Sequence, residues 1–126
     1  MARVLLADDD PMMLRLLTTL MQLEGNQVSS VTKPDEIIPA VEGDRPDIVL
    51  LDYHLAGGNS RETLIELKSR DDTRDVLVLM VSGMDRQVEC LRDGADGFLL
   101  KPFRPGELIE RVSALLKAKR DKGCEE

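Results

Sequence analysis

The chain has no tryptophan, one tyrosine and two phenylalanines, so its core must be assembled from Leu, Val, Ile, Met and Ala. Such a core offers no aromatic platform on which nucleic-acid bases could stack. Cysteine is equally sparse: Cys90 and Cys124 suggest neither a disulfide framework nor a metal knuckle, and read as two reduced thiols. A basic surplus is missing as well. The net charge is −7, which argues against sequence-independent binding to nucleic acid or to an anionic membrane surface. The one dense basic stretch, Lys117-Ala118-Lys119-Arg120, is followed closely by Asp121, Glu125 and Glu126. No apolar run approaches the ~20 residues of a membrane span. The four apolar residues between Arg3 and Asp8 are too few for the core of a signal peptide. These absences predict a cytoplasmic protein.

What is present suits one compact domain: 126 residues, of which 42% are hydrophobic. Four short apolar runs, Val4–Ala7, Ile48–Leu51, Val76–Val81 and Phe98–Leu100, are continuous rather than alternating. Strands buried on both faces of a parallel sheet read this way. Gln27–Val31 is a weaker run and predicts an edge strand. Helical spacing lies between the runs. Met12, Leu16, Leu17, Leu20 and Leu23 mark a first helix that Gly25 ends. Ile37, Ile38 and Val41 mark a second, with Pro34 near its first turn, and Leu64, Ile65 and Leu67 a third. Val88 and Leu91 mark a short fourth before Gly94, and Leu108, Ile109, Val112, Leu115 and Leu116 a fifth. Five β/α pairs in alternation imply a three-layer α/β domain over residues 1–118, its parallel sheet covered by helices on both faces. Residues 119–126 carry no apolar pattern and read as a frayed tail or the start of a linker.

Open α/β sheets bind ligands beyond the carboxyl ends of their strands. Asp8, Asp9 and Asp10 follow the first run, Asp52 the third predicted strand, Ser82 the fourth and Lys101 the fifth. One sheet edge therefore receives carboxylates, a hydroxyl and an ammonium. Two carboxylates about 4 Å apart repel by roughly 4 kcal/mol at an effective dielectric near 20. Lys101 offsets part of this, and a hard divalent cation with oxygen ligands would offset more. A carboxylate beside such a cation and a lysine can act as a nucleophile toward a phosphoryl group. Each residue also has a plainer reading. Asp10 before Pro11 is favoured as a helix cap. Asp8 and Asp9 fit a solvated loop as well as a ligand set, Ser82-Gly83 fits a turn, and Lys101 fits a surface lysine. Asp52 closes a buried strand, where an unpartnered charge is unfavourable.

Together, Val4-Leu5-Leu6-Ala7-Asp8-Asp9-Asp10-Pro11, Asp47-Ile48-Val49-Leu50-Leu51-Asp52, Val81-Ser82-Gly83 and Gly94-Ala95-Asp96-Gly97-Phe98-Leu99-Leu100-Lys101-Pro102-Phe103 resemble the receiver domain of bacterial response regulators. The resemblance runs from Arg3 to about Leu116. It implies a flavodoxin-like fold with strand order 2-1-3-4-5 and a phosphorylation switch rather than a metabolic enzyme. Asp52 would accept a phosphoryl group from a sensor histidine kinase or phosphotransfer protein. Asp9 and Asp52 would bind Mg²⁺, with Asp8 assisting and the backbone carbonyl of His54 as a further ligand. Ser82 and Lys101 would contact the phosphoryl group, and Phe98 would follow Ser82. The Lys101–Pro102 peptide would be cis. Phosphorylation would bias the surface of helix 4, strand 5 and helix 5, about residues 84–112, toward a downstream output protein, a covalently linked output domain or a homodimer partner. No direct contact with nucleic acid or membrane is implied. His54 and Met84, two places beyond Asp52 and Ser82, would tune the lifetime of the phosphoryl group.

The sequence departs from the family pattern at several places. Ala56 stands where a Pro is frequent, and Gly57-Gly58-Asn59-Ser60 follows, which predicts a flexible loop. Gly83 replaces a more usual Ala. Arg104 stands before Pro105 where a capping Asp or Ser is frequent, which predicts a weak start to the last helix. Three other readings compete. One is an unphosphorylated interaction module on the same fold. Another is an aspartate-nucleophile phosphatase with Asp8 as nucleophile and Asp10 as acid/base. The third is a flavin carrier, which the repulsion between Asp8–Asp10 and a phosphate opposes. The chain fits a stand-alone receiver and the front part of a longer regulator equally.

Overall fold

In the computed structural model, which describes residues 2–124, five strands run parallel in one sheet. They are β1 (Arg3–Ala7), β2 (Gln27–Val31), β3 (Ile48–Asp52), β4 (Leu77–Ser82) and β5 (Gly97–Leu100). From edge to edge the order is β2, β1, β3, β4, β5, the flavodoxin-like order expected. The connecting helices are α1 (Pro11–Leu23), α2 (Ile37–Asp44), α3 (Arg61–Ser69), α4 (Gln87–Arg92) and α5 (Pro105–Cys124). A short 3₁₀ turn, Pro34–Glu36, leads into α2.

The continuous apolar runs resolve into two cores, because successive side chains of a strand leave on opposite faces. Leu5, Ala7, Val49, Leu51, Val78, Met80 and Phe98 pack with Ile37 and Val41 of α2, Leu64 and Leu67 of α3 and Cys90 of α4. Val4, Leu6, Ile48, Leu50, Leu79, Val81 and Leu99 pack with Leu17 and Met21 of α1 and Leu108 and Val112 of α5. Each fully buried Leu, Ile or Val contributes about 1.5–3 kcal/mol. The middle strand β3 is therefore apolar on both faces until Asp52, which ends it at the sheet edge.

Local signals fix the helix ends. Asp10 caps α1, its carboxylate accepting the Met12 N–H at 3.0 Å with Pro11 in the first turn. At the other end Gly25 (φ +86°) donates to Gln22 and Asn26 donates to Met21. This pairing closes the helix and needs a residue in the left-handed region.

The structure corrects several details. β4 begins at Leu77, one residue after Val76, and β5 begins at Gly97, one residue before Phe98. Met12, Leu16 and Leu23 of the α1 pattern are exposed, while Leu17 and Met21 are buried. In α4 the two marker residues Val88 and Leu91 share the outer face, three positions apart, and Cys90 turns inward instead. Cys90 is a buried free thiol, as expected, while the Cys124 side chain lies outside the described residues. The expected tail, 119–126, is helical as far as Cys124. Lys117, Ala118, Lys119 and Arg120 are all strong helix formers, which propagate α5 without an apolar face. Glu125 and Glu126 lie outside the described residues.

Candidate functional site

Parallel pairing aligns the carboxyl ends of the three middle strands and β5. Ala7 pairs with Leu51, Asp52 with Val81 and Ser82 with Leu100. The residues that follow each strand therefore emerge along one edge. The Lys101 N–H bonds the Ser82 carbonyl at 2.7 Å and the Tyr53 N–H bonds the Val81 carbonyl at 2.8 Å, which extends this alignment past the strand ends.

One carboxylate oxygen from each of Asp8, Asp9 and Asp52 lies within 4.8 Å of the others. Asp8 and Asp52 are buried, at 4% and 8% exposure, and Asp9 is exposed. The Lys101 ammonium sits 3.0 Å from Asp52 Oδ2 and 4.0 Å from Asp8 Oδ2. Burial holds the Asp8 carboxyl above its ordinary range, and the Asp52 charge pushes the same way. A bond from the Asp10 N–H and the nearby Lys101 act in the opposite direction. Three carboxylates and one ammonium leave negative charge in excess. Oxygen donors of this number and hardness fit a Mg²⁺ ion, which takes one or two carboxylates and keeps several waters.

The other predicted residues take different places. Asp10 is spent on the α1 cap, which removes the acid/base that an Asp8 phosphatase would need. Ser82 is fully buried, and its Oγ accepts the Met84 N–H at 3.1 Å. Among the described residues it makes no bond to the acid cluster. Phe98 is buried in the core under α2, α3 and α4, with its carbonyl held by Arg111 of α5 at 2.6 Å. Met84 is exposed, and the His54 ring stands edge-on to Tyr53, 5.3 Å between centroids. The Lys101–Pro102 peptide is cis.

The loop after Asp52 folds back on itself as a hairpin. His54–Leu55 and Gly58–Asn59 form a small antiparallel ribbon around Ala56 and Gly57. Both turn residues have positive φ, 52° and 81°, as a two-residue hairpin of this twist requires. The Ala56 N–H reaches Asp9 Oδ2 at 3.0 Å and so ties the turn to the acid cluster. Two residues near the site escaped the sequence reading. Arg86 lies over the Tyr53 ring, 4.4 Å from its centroid. Ser60 is fully buried, and its hydroxyl donates to the Asp52 carbonyl at 2.8 Å. Its position just before a helix signals only an N-cap.

Comparison with known proteins agrees with this geometry. The family model of the response regulator receiver domain matches residues 4–113. The chain is 33% identical over 123 residues to the DNA-binding response regulator MtrA of Mycolicibacterium smegmatis, a match covering 98% of this chain and 54% of that protein. The chain thus spans about half the length of the curated relatives it matches. The receiver domain of the Francisella response regulator 1452 superposes with a TM-score of 0.86 at 26% identity, covering 94% of this chain and 98% of that one. The receiver domain of sensor histidine kinase PA1611 from Pseudomonas aeruginosa, solved with a magnesium ion in its active-site cleft, superposes with a TM-score of 0.82 at 22% identity, covering 92% and 98%.

Proposed function

The chain belongs to the response regulator receiver domains of two-component signal transduction, and from that premise we propose that it is a switch thrown by phosphorylation of Asp52. A sensor histidine kinase or a phosphotransfer protein supplies the phosphoryl group. The observation that carries this reading is the Asp52 carboxylate, set at the end of a buried strand 3.0 Å from Lys101 and grouped with Asp8 and Asp9.

Asp52 attacks phosphorus through a carboxylate oxygen. An O–P bond forms as the donor's N–P bond breaks, and the imidazole nitrogen of the donor leaves with the electron pair. Lys101 holds the Asp52 carboxylate in place and counters charge on the phosphoryl oxygens. Asp8, Asp9, Asp52 and the His54 carbonyl would hold Mg²⁺, which when bound neutralises phosphoryl oxygens and positions them. Hydrolysis of the acyl phosphate returns Asp52 to its carboxylate. The chain is in this sense a signalling module that catalyses only its own modification and reset.

The added charge and acceptor oxygens draw the Ser82 hydroxyl from its bond with Met84 toward the phosphoryl group. Phe98 follows, and the face made by α4, β5 and α5 shifts its population toward a partner-binding state. Exposed Met84, Val88, Leu91 and Leu100 in that region support its use as a docking face for an output protein, a linked output domain or a second copy. His54 and Met84 flank the phosphoryl group and set its lifetime. The compartment we assign is the cytoplasm; among the described residues no helix is long and apolar enough to cross a membrane.

The test is intact mass after incubation with acetyl phosphate and Mg²⁺. One phosphoryl adduct is expected, lost in Asp52→Asn and in EDTA. A wild-type chain that takes no adduct, and binds no beryllofluoride, would instead be an unphosphorylated interaction module.

A further inference from the structure

We propose that Ser60 is a positioning residue for the acid site, its hydroxyl fastening the loop after Asp52 back onto the main chain of Asp52 itself. The inference rests on the receiver reading for what the site does, but its geometry is independent of that reading.

Ser60 stands immediately before α3, where a serine ordinarily turns its hydroxyl forward to accept an N–H of the first turn. It makes no such cap bond. The Arg61 N–H is taken by Asn59 Oδ1 at 3.1 Å. The Ser60 hydroxyl points backward instead, donating to the Asp52 carbonyl at 2.8 Å and lying 3.4 Å from the Tyr53 carbonyl. Its N–H donates to the Tyr53 carbonyl at 2.8 Å. The residue is fully buried, so no water competes for these bonds.

The two bonds close the base of the loop that runs from Asp52 to Ser60. At the tip the Ala56 N–H bonds Asp9 Oδ2. Everything the loop brings to the site hangs between these two anchors, including the His54 carbonyl we assign to the metal. A small movement at the base is carried to the tip, because the ribbon between them is held by its own pairing. Partners that orient a metal's ligands typically change its affinity by 10- to 100-fold when removed.

The structure supplies a matched control. Thr73 is also buried, and its hydroxyl donates to the Leu67 carbonyl at 2.7 Å, after α3 and away from the acid cluster. Thr73→Val removes a bond of the same kind without touching the site.

The experiment is a titration of the full chain with Mg²⁺ alone, followed by backbone amide NMR, in wild type, Ser60→Ala and Thr73→Val. Ser60→Ala is expected to raise the half-saturating Mg²⁺ concentration by about tenfold and to speed hydrogen exchange at the Ser60 amide. Thr73→Val should leave the half-saturation where it is. Should Ser60→Ala fail to fold, Ser60→Cys keeps the volume with a weaker donor and should fall between the two. Equal Mg²⁺ affinity in wild type and the Ser60 variants, or equal weakening in Thr73→Val, overturns the proposal. A wild type that binds Mg²⁺ but accepts no phosphoryl group defeats the switch reading and leaves Ser60 to be decided by the titration. A wild type whose amides do not respond to Mg²⁺ overturns both.

Discussion

Two shielded lysines, one at each end of the sheet, are both joined to aspartates, and they are built for opposite purposes. Lys68 reaches Asp96 at 2.7 Å, the Val76 carbonyl at 2.9 Å and the Arg74 carbonyl at 3.1 Å, so its three donors are filled. Asp96 in turn accepts the Val78 N–H at 2.9 Å. One ammonium faces one carboxylate, and the cluster ties α3 to the beginnings of β4 and β5. Lys101, beyond the end of β5, bonds a single carboxylate oxygen while Asp8, Asp9 and Asp52 converge beside it. The first arrangement is neutral and closed. The second is under-neutralised and open, and it stores a preference for added positive charge or for relief of negative charge. An ion pair alone does not distinguish structure from function; the balance of charges and the count of filled donors do.

The largest test of this contrast is Lys68→Met. Lys68→Met removes three charge-assisted contacts while Asp96 stays in reach of solvent, and we expect a stability loss of about 2 kcal/mol, read as a lower urea midpoint. Mg²⁺ binding at the far end should be unchanged; a parallel loss of metal affinity would break the comparison. Asp8→Asn should act with the opposite sign. Without divalent cations it relieves repulsion and should raise stability by about 1–2 kcal/mol, while Mg²⁺ affinity falls in a titration.

Asp10→Ala sharpens the line between the three adjacent aspartates. It should cost about 1 kcal/mol through the lost α1 cap and leave the Mg²⁺ titration curve unmoved. A shift of that curve comparable to that in Asp8→Asn would place Asp10 in the site.

The smallest effect expected is in the pH dependence. The folded-state pKa of Asp8 is raised above its ordinary 3.8, so the folded chain binds that proton more tightly than the unfolded chain. Its stabilising contribution is complete below 3.8 and is lost as pH rises through the raised value. Mild acidification of the metal-free protein should therefore recover stability from this group. The difference between wild type and Asp8→Asn in urea midpoints across that window isolates it, and a flat difference would show Asp8 uncoupled from folding.

Much of the fold was legible because its signals are local or periodic. A run such as Ile48–Leu51 is apolar throughout because both faces of β3 are covered, and that is visible in composition alone. Asp10-Pro11 and Gly25 announced the ends of α1 because capping depends on a few neighbouring dihedrals. The α4 face was misread because six residues give too few turns to define a stripe, and the apolar Val88 and Leu91 outweighed Cys90. The hairpin in the Asp52 loop was not legible because glycines signal only backbone freedom and do not announce the pairing of His54 with Asn59 and of Leu55 with Gly58.

The amino-acid sequence by itself determined the alternation of strands and helices and the set of polar residues delivered to one edge of the sheet, since both follow from spacing along the chain. Only the tertiary structure decided which aspartates meet. Asp8 and Asp9 come together with Asp52 from a different strand, and Lys101 comes within 3.0 Å of a residue 49 positions away. Ser60 likewise became part of the site only when the loop closed on Asp52. The physical reason is the same in each case: electrostatic and hydrogen-bond partners are chosen by distance in space, which parallel strand register and chain closure set and which neighbours in sequence do not encode.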